Sequence, residues 1–182
     1  MRKLNSVLGI VLIALMLFHI IVGAFQLMGF LPGGNAVMKT AAWIMLAAAA
    51  LHTLIGIKLT FDTVYALKRS GKNYFGENKL FWIRRISGFA LLVFMAAHVV
   101  IFVGHGDGSG FRLNFYDIPE LVCSLLFVCA LLVHIVFNIR PLMTALGASK
   151  AKEFIADAAF ILTVLLLFAG AAFAVYFVRW QL

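Results

Sequence analysis

Four histidines, His19, His52, His98 and His134, each sit inside a different apolar run, and a fifth, His105, lies in the glycine-rich link "GHGDGSG". Imidazole is costly in hydrocarbon, and ionisable side chains inside membrane spans are rare, face the bundle interior and mark functional sites. One histidine on one apolar helix is commonly a packing residue bonded to a carbonyl. One in each of four consecutive runs is harder to explain by packing. Neutral imidazole in an apolar interior is suited to axial ligation, and two rings opposed across a bundle at equal depth can hold one haem iron.

The elements that must place these rings are plain in the composition. Of 182 residues, 64% are hydrophobic and 12% charged, and the mean hydropathy is +1.07. A soluble domain has about 45–50% apolar and about 25% charged residues, so the chain belongs in a bilayer. Five runs are long enough to span one: residues 5–29, 37–67, 81–104, 119–142 and 154–178. The second is long enough to tilt or to project. Between them stand "LPGGN", "RSGKNYFGEN", "GHGDGSG" and "GASKAKE", all turn or link compositions. The basic start before the first run resembles a signal peptide, but the run is long, holds a histidine and has no small-x-small cleavage site, so it reads as a retained helix. The expected fold is all-α, a single membrane domain over residues 1–182, with five transmembrane helices in a bundle enclosing two haems.

The net charge of +8 suggests by itself an anionic partner, and its distribution points to a membrane rather than to nucleic acid. Arg2 and Lys3, then Lys68, Arg69, Lys72, Lys79, Arg84 and Arg85, then Arg140, Lys150 and Lys152 all fall at one end of the alternating helices. The other end holds Lys39, Asp107, Arg112 and Asp117. The positive-inside rule puts the N-terminus in the cytoplasm; attraction to lipid headgroups accounts for such lysines equally well. Cys123 and Cys129 lie six apart on one helix, on different faces, and read as buried apolar residues.

Depth sorts the histidines. At about 1.5 Å per residue, His19 lies about 21 Å and His98 about 25 Å from the cytoplasmic starts of their helices. His52 and His134 each lie about 22 Å from the outer ends of theirs, hence nearer the cytoplasm. The expected pairs are His19 with His98 at an outer level and His52 with His134 at an inner one, matching two b-type haems. Zinc wants ligands converging on one point, and a di-metal carboxylate site wants acids inside the bundle, where Asp62 and Asp157 are not. There is no C-x-x-C-H for covalent haem. Gly23 and Gly56, four residues after two of the histidines, would give a porphyrin clearance or simply serve helix packing. Structural histidines, or a single haem, remain as alternatives.

Five spans, a histidine in each of the first four, "FWIRRISG" opening the third and the looser "HIVFNIRPL" after His134 resemble the di-haem cytochrome b subunit of succinate:quinone oxidoreductases. These are the succinate dehydrogenases and quinol:fumarate reductases. The resemblance covers nearly the whole chain. It implies a multi-pass anchor in a bacterial or archaeal inner (plasma) membrane, holding an iron–sulfur subunit and an FAD flavoprotein on the cytoplasmic side. Electrons would pass between these partners and a quinone, often menaquinone, in a respiratory complex that can be dimeric. The dicarboxylate chemistry would lie in the flavoprotein. Leu132 stands where some fumarate reductases carry a glutamate two residues before the fourth histidine, and the first link has no carboxylate. Proton coupling through those acids is not expected. A cytochrome b anchor of the formate dehydrogenase or hydrogenase type tends to carry two histidines on one helix, unlike this chain. A non-redox membrane protein with structural histidines is the other reading.

Anionic propionates of an inner haem call for cations and donors: Asn5, Ser6, Lys58, Trp82, Arg84, Arg85, Ser87 and Arg140 are the candidates. The arginines would serve equally in docking a partner. A quinone needs polar groups near one haem, and the outer end offers Gln26, His105 and Asp107, with Asn35, Lys39, Arg112, Asn114 and Tyr116 nearby. A solvated turn is the plain alternative for that link.

Overall fold

The computed structural model describes residues 1–70, 78–103, 113, 115–147 and 152–181. Five helices account for nearly all of them: α1 Arg2–Leu27, α2 Ala36–Ser70, α3 Lys79–Phe102, α4 Ile118–Ala145 and α5 Lys152–Gln181. The shortest, α3, has 24 residues and is about 36 Å long, more than the roughly 30 Å of a hydrocarbon core. All five are long and apolar enough to cross a membrane. Their outward faces are apolar too: Phe61, Phe89, Val100 and Phe160 are each 69–70% exposed. Such a surface suits lipid rather than water.

Each helix end has a local cause. Gly29 takes a φ of +81°, and Arg179 of α5 donates to the Leu27 carbonyl at 3.3 Å. So α1 stops at Leu27, two residues short of the expected limit. Asn78 caps α3, its side chain accepting from the Phe81 N–H, which starts that helix before Phe81. Asp117 and Glu120 form a capping box at the start of α4, with Pro119 in the first turn, where proline costs nothing. At its other end α4 runs through Pro141 to Ala145, beyond the expected stop at residue 142.

α1 packs on α2 and α3 on α4, and α5 joins the two hairpins by packing on both α1 and α4. The buried core is densest along α4 and α5, through Val128, Ile135, Leu166, Ala172 and Phe173. α1 and α3 do not form a packed pair, and neither do α2 and α4; each touches the other marginally at most. These are the helices that carry the expected histidine partners.

Candidate functional site: two histidine pairs

His19 of α1 and His98 of α3 meet, with ring centroids 6.1 Å apart and planes at 73°. Two imidazole–metal bonds of about 2 Å each, added to the two ring radii, come to roughly 6 Å. The separation therefore suits one metal atom between the rings. The walls are aromatic. Phe127 of α4 stacks on His98 at 5.0 Å and 20°, Phe102 lies at 4.7 Å and Phe173 of α5 at 6.2 Å. The Nδ1 atoms of both histidines are buried and have no hydrogen-bond partner in the protein. A buried polar atom left in that state costs about 1–3 kcal/mol.

The other pair is built differently. His134 is held by the segment "RRISG" of α3, Arg84 to Gly88. Ser87 Oγ lies 3.3 Å from His134 Nδ1 and itself donates to the Arg84 carbonyl at 3.2 Å. Where Ser87 accepts from His134, the ring hydrogen sits on Nδ1 and Nε2 is bare, the tautomer a metal ligand needs. Gly88 gives the ring its room, since a Cβ there would stand 3.3 Å from His134 Cε1.

The same segment meets "HIVFNIRPL" a second time. Pro141 has no N–H to give, so the carbonyl of Phe137, four residues earlier, loses its helical partner. Arg84 Nε donates to that carbonyl at 2.8 Å, and α4 continues through the proline. Asn138 Nδ2 donates to the His134 carbonyl at 2.7 Å. Arg85, the next residue, is turned by about 100° around α3. It lies within electrostatic reach of both His52 and His134, its guanidinium 5.0 Å over the Phe81 ring. His52 on α2 is in turn within electrostatic reach of His134, and the Asn5 main chain approaches its ring. His52 Nδ1 and Asn5 Oδ1 are buried without hydrogen-bond partners.

The remaining candidates are spread out. Lys58 pairs with Asp62 at 3.1 Å, both side chains more than half exposed. Ser6 donates to the Arg2 carbonyl of its own helix at 3.1 Å. Trp82 stands edge-on to Phe81 at 5.3 Å. Arg84 and Arg140 line a separate cleft with Arg2 and Lys3. A Cβ on Gly23 would lie 3.4 Å from Met38 Cε of α2, whereas one on Gly56 would meet nothing within 4 Å. At the other end, Gln26 donates to the Pro32 carbonyl at 2.9 Å and ties down the first link. Asn35 Oδ1 accepts from the N–H groups of Val37 and Met38 and starts α2. His105 and Asp107 lie outside the described residues, as do Arg112 and Asn114.

Sequence reasoning missed the packing around the outer pair. Tyr116 is fully buried, donates to Ser124 at 3.1 Å and touches Phe102 and Tyr176. Burial pushes its pKa up to about 12. Tyr176 Oη accepts from the Leu113 N–H at 3.0 Å. Tyrosines beside the third link gave no periodic signal of this. Pro141, four residues after Phe137, did carry a readable one: a carbonyl in need of a donor.

No family model matches the chain, and neither does any curated protein or solved structure compared with it. Its function has to be argued from its own residues. Among the described residues no three of His, Cys, Asp and Glu converge as a metal site.

Proposed function

We propose that this chain is the membrane-anchoring, quinone-reacting di-haem cytochrome b subunit of a succinate dehydrogenase or fumarate reductase. The observation that carries the reading is that His19 lies beside His98, and His52 within electrostatic reach of His134, on helices that do not form packed pairs. His19 and His98 would hold the outer haem, and His52 and His134 the inner one. When bound, each haem would carry single electrons between a membrane quinone and the iron–sulfur and FAD partners at the basic end.

The residues around the rings do the supporting work. Ser87 would keep His134 in its ligating tautomer, Gly88 leaves it space, and Arg85 would supply a cation for inner propionates. Phe102, Phe127 and Phe173 keep water from the outer pair.

The test is affinity purification of the chain from its native membrane, followed by assays of succinate oxidation and fumarate reduction against menaquinone analogues. A co-purifying flavoprotein and iron–sulfur protein with quinone-linked dicarboxylate activity is the expected result. Partners of the formate dehydrogenase or hydrogenase type would reassign the complex, and a chain without redox partners would overturn the reading.

A further inference from the structure

At the basic end of the bundle a cleft of about 630 Å³ opens between the start of α1, the second turn of α3 and the end of α4. Arg2, Lys3, Arg84 and Arg140 line it, over a floor that includes Pro141 and Ala145, and among the described residues no carboxylate does. Four like charges gathered in one cleft repel one another, and an anion brought among them relieves that cost. One cation is already positioned: the Arg84 Nε bond to the Phe137 carbonyl anchors the guanidinium and leaves its two terminal NH2 groups for another acceptor. The first turns of α1 and α3 contain no acidic residue.

Position selects the anion. Helices that cross the hydrocarbon emerge at headgroup depth, where the phosphodiesters of anionic lipids lie, and basic pockets between spans at that depth suit them. Leu4 and Val7, 48% and 44% exposed on the first turns of α1, offer an apolar flank for acyl chains. We propose that this cleft binds the phosphate headgroup of an anionic phospholipid. The inference rests on the chain spanning a membrane and is independent of haem or quinone binding.

The experiment is native mass spectrometry of the full chain, incubated with phosphatidylglycerol or phosphatidylcholine and then washed in mild detergent. The wild type should retain one phosphatidylglycerol and no phosphatidylcholine. Lys3→Gln with Arg140→Gln removes two charge-assisted contacts and should lower retention by at least about ten-fold. Lys68→Gln with Arg69→Gln, basic residues outside the cleft lining, should match the wild type, and Arg140→Lys should keep the lipid. Haem content read on the same samples separates this proposal from the cytochrome reading: lipid held by a haem-free chain leaves the cleft assignment standing. Four results would overturn it: full retention in the cleft variant, equal loss in both double variants, equal binding of phosphatidylcholine, or displacement by millimolar inorganic phosphate. Loss of an acidic protein with the lipid kept would likewise make the cleft a protein dock.

Discussion

The outer histidine pair sits among phenylalanines, whereas the inner pair sits among a serine, an asparagine and an arginine. The outer rings are placed by shape: Phe127 and Phe102 leave His98 little freedom to turn. The inner ring of His134 is placed by hydrogen bonding, through Ser87 on one side and the anchored carbonyls of α4 on the other. Were each pair to hold a haem as proposed, the two would differ in potential and in exchange with protons, because a haem's properties follow its hydrogen bonding, charge and burial. The inner site is where charge changes should be felt; the outer site should answer to volume.

Removing ligands gives the largest expected effect. His19→Ala and His98→Ala should each abolish one and the same haem component in a reduced-minus-oxidised spectrum, and His52→Ala and His134→Ala the other. A component lost in common by His19→Ala and His52→Ala would break the pairing. Next comes the space beside His134. A valine at Gly88 must push the ring, since even its Cβ would lie 3.3 Å from Cε1. Gly88→Val should empty the inner site, and Gly88→Ala should shift its spectrum, with the outer signal intact in both.

The arginine pair offers a sharper contrast between neighbours. Arg84→Leu strands the Phe137 carbonyl and should cost about 1–3 kcal/mol of stability. Adding Pro141→Ala restores an N–H to that carbonyl and should recover much of the loss. Additive effects in that double-mutant cycle would refute the coupling. Arg85→Gln should change stability less but lower the inner haem's potential, because a nearby cation favours the reduced, less positive iron. The downward shift should be visible in a redox titration. The outer haem should move little.

The smallest effect belongs to the aromatic plug above the outer pair. Tyr116 is held protonated up to about pH 12 by burial, above its ordinary value of about 10. Its contribution to stability is therefore complete below about pH 10 and is lost as pH rises towards 12, by at most about 2–3 kcal/mol. In an ultraviolet titration the signal missing from Tyr116→Phe should be the one that appears near pH 12. A missing signal near pH 10 would show that the ring is wet.

Much of this layout can be read from the residues alone. Five apolar runs long enough to span a bilayer give the helices, and a fixed rise per residue puts His19 level with His98 without any knowledge of packing. Helix ends and side-chain partners are less legible because distant segments set them. α4 passes Pro141 through a bond from Arg84, 53 residues away, and α1 stops with Arg179 on its last carbonyl, 152 residues away. Ser87 was expected near inner propionates, yet it lies against His134 itself; the rotation of α3 about its axis decides this, and only packing fixes it. Arg84 and Arg85 look equivalent in sequence, and a turn of about 100° sends one to a carbonyl and the other towards the histidines.

The central claim is that the four histidines hold two haems, one per pair, and a haem count tests it most directly. The chain, purified from a haem-replete host, is quantified by pyridine haemochrome and by amino-acid analysis of the same sample. Two non-covalent b-type haems per chain are predicted, falling to one when any single histidine among His19, His52, His98 and His134 is replaced. A well-folded chain that carries no haem, or one whose haem content is unchanged by all four replacements, would contradict it.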